Sequence, residues 1–101
     1  MAEYAANRSS RCPTHPGAAI ADVLQDVDVS KVSIAKQLGI SRQHLYEIIN
    51  EDKPLSASLA VRVAALLGGS AESWLRMQAA CDAWHATRSV DVSKIKRLEV
   101  A

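Results

Sequence analysis

Arg42 and Gln43 are the neighbouring pair in this 101-residue chain best suited to reading another molecule. Both side chains are planar and offer paired hydrogen-bonding atoms. Arg can bond guanine O6 and N7 together, and Gln can do the same at adenine N6 and N7. The pair follows Ser41, a good helix N-cap, and the free N–H groups of a helix start also favour a phosphate there. Lys31 is placed for a phosphate, as is Lys36 less directly, and Asn50 for a phosphate at the far end. Tyr46 and His44 are each either a contact to the nucleic-acid backbone or a thymine methyl, or plain solvated surface. Solvated surface is the expectation for His44. Glu47 either accepts from cytosine N4 or pairs with Arg62 on the following helix; the pairing is the expected role.

The stretch Lys31–Asn50 positions these groups. Ile34, Ala35 and Leu38 recur at helical spacing, which predicts a short amphipathic helix over Lys31–Leu38, capped by Ser30. Gly39 ends it, because the turn needs a positive φ. Ile40 points back inward. A second helix follows Ser41, with Leu45, Ile48 and Ile49 on one face. Two short helices, a Gly-containing turn and small Ala35 at the crossing make a helix-turn-helix. The second helix of that motif enters the DNA major groove with its N-terminal residues at base edges.

The whole chain is 49% hydrophobic and 23% charged, has no Phe and only 4% aromatic residues. Its core must be aliphatic and Ala-rich, which favours packed helices over a sheet, so an all-α fold is expected. Apolar runs fall far short of the ~20 residues that span a bilayer. No basic segment followed by an apolar run marks a signal peptide. A reducing cytoplasm is the expected setting, with Cys12 and Cys81 too few for a disulfide framework. The net charge of +1 does not suit a nonspecific DNA coater. A local basic edge of Lys31, Lys36, Arg42, Arg8 and Arg11 is expected instead.

Residues 1–14 are small, polar and aperiodic, and are expected as a disordered tail. Pro16 suits a helix first turn, and Ile20, Val23, Leu24 and Val27 mark a helix from Pro16 to Asp26 that covers the motif. Pro54 stops the loop after Asn50 from being helical. Ser56 caps the next helix, whose buried face is Leu59, Val63, Leu66 and Leu67, and Gly68-Gly69 end it. Ser70 caps a last helix over Ala71–Thr87. That helix carries two ridges, Trp74, Met77, Cys81, Trp84 and Leu75, Ala79, Ala83, Ala86. Packing on one side needs only one. The second ridge either meets the same helix of a second subunit or consists of Ala residues serving as helix formers. Trp74, Leu75, Ala79, Ala83 and Trp84 are the dimerisation candidates. The domain is therefore expected over residues 15–88. Residues 89–101 are open between a short strand, an arm that orders on a partner, and a frayed tail.

No enzyme and no cofactor is expected. His15, His44 and His85 are scattered, and there is neither a Gly-rich phosphate loop nor a nucleophile-base-acid set. Cys81 and His85 lie one helical turn apart and could form half a zinc site. A closed site needs four ligands and no second pair is in view, so no metal is expected.

Several stretches resemble HigA-type antitoxins of the XRE helix-turn-helix superfamily. They are His15-Pro16-Gly17, Leu38-Gly39-Ile40-Ser41-Arg42-Gln43, Glu47-Ile48-Ile49-Asn50-Glu51, Pro54, and Ala60-Val61-Arg62-Val63-Ala64. The most specific is Trp74-Leu75-Arg76-Met77-Gln78 followed by Asp82-Ala83-Trp84. Ala18 and Cys81 depart from the pattern, standing where Glu and an aromatic residue are common. The resemblance implies a five-helix, lambda-repressor-like bundle that acts as a homodimer on a palindromic operator in double-stranded DNA. It also implies repression of its own operon and neutralisation of a HigB-like toxin that cleaves mRNA. The alternatives are a free-standing XRE-type regulator without a toxin, and a protein-interaction module that keeps the fold as scaffold.

Overall fold

Serine hydroxyls start four of the five helices in the computed structural model, which describes residues 11–100. The helices are α1 (Pro16–Gln25), α2 (Lys31–Leu38), α3 (Arg42–Ile49), α4 (Ala57–Leu67) and α5 (Ala71–Ser89), with no strand among the described residues. The all-α expectation is met. Ser30, Ser41, Ser56 and Ser70 each accept the N–H three residues on, at 3.2, 3.0, 3.2 and 3.0 Å. Each bond satisfies a donor that the helix itself leaves unpaired. α1 starts differently. His15 is buried and its Nδ1 accepts the Gly17 N–H at 2.9 Å, with Pro16 in the first turn.

The core is aliphatic apart from Trp74. Ile20 and Leu24 of α1, Ile34, Ala35 and Leu38 of α2, Leu45 and Ile48 of α3, and Leu59, Ala60 and Val63 of α4 meet around it. The apolar spacing therefore lands where helical periodicity puts it, with four exceptions. Val23 and Val27, expected on the buried face of α1, are exposed. Leu66 and Leu67 are only half-buried, while Ala60 is fully buried where α4 packs closest. α5 runs two residues past Thr87. There the Arg88 guanidinium lies 3.7 Å from the Trp84 ring centroid and donates to the Trp84 carbonyl at 3.0 Å.

The inner face of α5 differs from the ridge expected for it. Trp74, Gln78 and Cys81 are its buried residues. Trp74 was a dimerisation candidate, but its ring sits in the chain's own core and its Nε1 donates to the Gly68 carbonyl at 2.9 Å. Only 7% of it stays exposed, which leaves little surface for a second subunit. Buried Gln78 ties α5 to the loop before α4, accepting the Leu55 N–H at 2.7 Å and donating to Asp82 at 2.9 Å. We expect Gln78→Leu to lower stability by ~1–3 kcal/mol in a denaturant titration, since it leaves a buried backbone N–H without a partner. An unchanged midpoint would show that the Leu55 N–H finds another acceptor.

Residues 90–100 are exposed and form no strand. A local turn at Asp91, whose carboxylate accepts the Ser93 N–H at 2.9 Å, is their main ordered feature. No helix among the described residues is long and apolar enough to cross a membrane.

Candidate nucleic-acid interface

The turn between α2 and α3 is built from backbone hydrogen bonds that need glycine. Gly39 takes φ +73°. Its N–H reaches the Lys36 carbonyl at 3.1 Å and the Ile40 N–H reaches Ala35 at 3.0 Å, closing α2 with its last carbonyls satisfied. Ala35 is 2% exposed, so the small residue expected at the crossing is fully enclosed. Arg62 reaches across from α4 and donates to the Leu38 carbonyl at 3.1 Å. A cation at the carboxyl end of a helix also meets its dipole favourably. Gly39→Val should therefore cost roughly 1–2 kcal/mol through the left-handed conformation alone. The new Cβ would also sit 3.0 Å from the Arg62 guanidinium and push it off the turn. A melting temperature equal to wild type would contradict this turn geometry.

The expected Glu47–Arg62 pair does not form. Glu47 pairs with Lys53 at 3.4 Å, while Arg62 serves the turn as described. The cause is the end of α3. Glu51 adopts φ +65°, and the Asp52 N–H folds back onto the Glu47 carbonyl at 2.8 Å. This tight reversal brings Lys53 over the last turn of α3. Both partners are solvent-accessible, so the pair contributes little to stability. Arg62 still supports the motif, but through a carbonyl rather than a carboxylate.

The outer face of α3 carries the residues that the sequence offers for reading DNA. Arg42, Gln43, Tyr46 and Asn50 are exposed, as is Ser41 at the start. Apart from the Ser41 hydroxyl, which caps the helix, these side chains are directed away from the core that Leu45 and Ile48 enter. Lys31, at the start of α2, places its Nζ 5.9 Å from the Tyr46 ring centroid. The two helices thus present one continuous edge of Lys31, Tyr46, Arg42 and Gln43. Lys36 and Arg11 are exposed as well, whereas Arg8 lies outside the described residues. His44 is half-buried rather than the fully solvated residue expected.

Gly17 enters the sequence reasoning only within the His15-Pro16-Gly17 resemblance, with no packing role assigned to it. It marks the closest approach of α1 to α3, and a Cβ built there would fall on the Ile48 carbonyl. The available signal was a glycine in the first turn of a helix, where alanine is the better helix former.

These features define a helix-turn-helix domain, with α2 supporting and α3 presenting. A helix-turn-helix family model matches residues 20–74, more than half of the chain, and the chain belongs to that family, in its XRE-type branch. Virulence-associated protein I of Dichelobacter nodosus is 36% identical over 69 residues, which are 67% of this chain and 64% of that protein. The chain thus spans a little under two thirds of that relative's length. An addiction module antidote protein of the HigA family from Coxiella burnetii superposes with a TM-score of 0.79 at 29% identity, covering 88% of this chain and 100% of that one. The antitoxin HigA of Pseudomonas aeruginosa, solved with the higBA promoter, gives a TM-score of 0.71 at 28% identity over 81% of this chain and 88% of that one. The resemblance to HigA-type antitoxins is borne out by these relatives.

Proposed function

We propose that the chain is a sequence-specific DNA-binding repressor that acts as the antitoxin of a toxin–antitoxin pair. The observation that carries this reading is the free outer edge of α3. Arg42 and Gln43 stand exposed at the helix start, near Lys31 and Tyr46, on a helix packed against α1 and α2. Arg42 and Gln43 read base edges, while Lys31, Ser41 and Asn50 meet phosphates and fix register. Tyr46 packs against the DNA backbone next to Lys31. Ala35, Gly39 and Arg62 keep the helix in place, and the Glu47 carbonyl, which accepts the Asp52 and Lys53 N–H groups, closes its far end.

In this reading the chain works as a homodimer in the cytoplasm, on a palindromic operator ahead of its own operon. Two copies of one recognition helix read two half-sites about one helical turn apart. Exposed Ala79 and Ala83, with half-buried Trp84 and the free side of Leu75, which also packs against the core, form the subunit contact, Trp74 being spent in the core. The protein also neutralises a HigB-like mRNA-cleaving toxin. That a relative of the same fold was solved on its promoter supports the DNA half of the reading.

A two-plasmid experiment tests both halves. A reporter driven by the DNA upstream of the gene should be repressed by wild type and derepressed by Arg42→Ala. The antitoxin half requires a gene beside this one for a small basic HigB-like protein, whose co-expression should arrest growth, and both versions of this chain should relieve the arrest. Repression without relief would leave a free-standing regulator; relief without repression would make the fold a scaffold.

Lys31→Ala should weaken binding to all sequences alike and flatten the salt dependence of affinity by about one unit. The check is the slope of log affinity against log salt. An unchanged slope would remove Lys31 from the phosphate contacts.

A further inference from the structure

Cys12 stands four residues before α1, and sequence alone gives no reason to connect it with α5. In the structure its Sγ lies 3.7 Å from the Cys81 Sγ and 3.5 Å from the His85 Nε2. The three possible donor atoms all lie within 4.8 Å of one another. Cys81 and His85 are one turn apart on α5, so one helix face offers both, and Cys12 closes over them. Cys81 is buried, while Cys12 and His85 are exposed.

We propose that Cys12, Cys81 and His85 form a zinc site that fastens the segment ahead of α1 to the last helix. The distances fit the ion. A tetrahedral zinc with Zn–S near 2.3 Å and Zn–N near 2.0–2.1 Å sets its thiolates about 3.8 Å apart, and a thiolate and an imidazole nitrogen about 3.6 Å apart. The two edges from Cys12 fall within about 0.1 Å of these values, and the third, between Cys81 and His85, lies within 4.8 Å, so the ion would seat once the exposed His85 ring turns toward Cys81. Two thiolates and one imidazole are a borderline-soft donor set that suits zinc over magnesium or calcium. The fourth position belongs to an oxygen. Beside Cys81 and His85 lies an open pocket of about 270 Å³, lined also by Glu51, Asp52 and Asp82, which offers either a water or a carboxylate.

Binding is written as an exchange of ions. The metal arrives as Zn²⁺, both thiols release their protons to solvent, and the imidazole binds through its neutral nitrogen. No oxidant is required. Zinc must displace the thiol protons, so affinity should rise with pH. The structural consequence is local. His15 and Gly17, which set α1 against the end of α3, follow Cys12 within five residues. A metal at Cys12 would steady that junction.

The test uses the full chain, reduced and stripped of metal. Titration with Co²⁺ should give one equivalent of binding per chain, with the visible absorption of tetrahedral cobalt and a thiolate charge-transfer band. Zn²⁺ should then displace the cobalt. Cys12→Ser and His85→Ala alter exposed side chains and should keep the wild-type circular dichroism, yet each should weaken zinc binding by more than ~100-fold, beyond what loss of an outer-sphere partner costs. Zinc should raise the melting temperature of wild type and of neither variant. Absence of stoichiometric cobalt binding to reduced wild type would overturn the proposal. So would binding that survives both substitutions. A Cys12–Cys81 disulfide forming in air, with no metal uptake by the reduced chain, would overturn it too and make the pair a redox bond.

Discussion

Gly17→Ala is expected to destabilise the protein by about 2–3 kcal/mol, lowering the melting temperature by roughly 10 °C or more. The sign is what makes this informative. Gly17 lies inside α1, and helix propensity alone says that alanine there should stabilise by about 1 kcal/mol. The tertiary contact says the opposite. An added Cβ meets the Ile48 carbonyl, which is backbone and cannot rotate away. It also comes within 3.1 Å of the His15 ring that caps α1. Relief requires α1 to move off α3, opening the packing around Ile20 and Ile48, both 1% exposed. In the proposed reading α3 meets the DNA, so the same substitution should weaken specific DNA binding. A thermal melt in which Gly17→Ala matches or exceeds wild type would show that α1 does not approach α3 this closely.

Arg42→Ala should lower affinity for the specific site by ~1–3 kcal/mol, or roughly 5- to 150-fold, and relax preference at one base position. The side chain is exposed at the first turn of α3 and is not part of the core. Stability should therefore stay near wild type, which separates this effect from that of Gly17. Binding to scrambled DNA should fall much less, because only phosphate attraction is lost there. Equal losses on both DNAs would reduce Arg42 to a phosphate contact and move the reading role to Gln43.

Where sequence and structure agree, local physics decides the outcome. Ser30, Ser41, Ser56 and Ser70 announce helix starts because a hydroxyl satisfies a donor three residues away. Gly39 announces the turn because few other residues take its φ. Ile34, Leu38, Leu45 and Ile48 follow helical spacing into the core, and the same spacing leaves Arg42, Gln43 and Tyr46 outside. The failures are tertiary. Glu47 had two cations to choose from, and the reversal at Glu51, which no glycine announces, selected Lys53 over Arg62. Trp74 reads equally well as an interface residue or a core residue, and only the position of the Gly68 carbonyl decides between them. Gln78 breaks the apolar pattern of α5 because it supplies an acceptor to a loop 23 residues away. Cys12 meets Cys81 across 69 residues of chain, and no spacing rule connects them.

The most direct test of the central reading is fluorescence anisotropy of wild-type protein with the DNA upstream of its own gene, beside a scrambled duplex of equal length, over a salt series. A DNA-reading repressor should bind the upstream DNA at least ~10³-fold more tightly than the scrambled duplex at physiological salt. The saturation point should correspond to two chains per duplex. Weak and equal binding to both duplexes would contradict the assignment of α3 as a recognition helix.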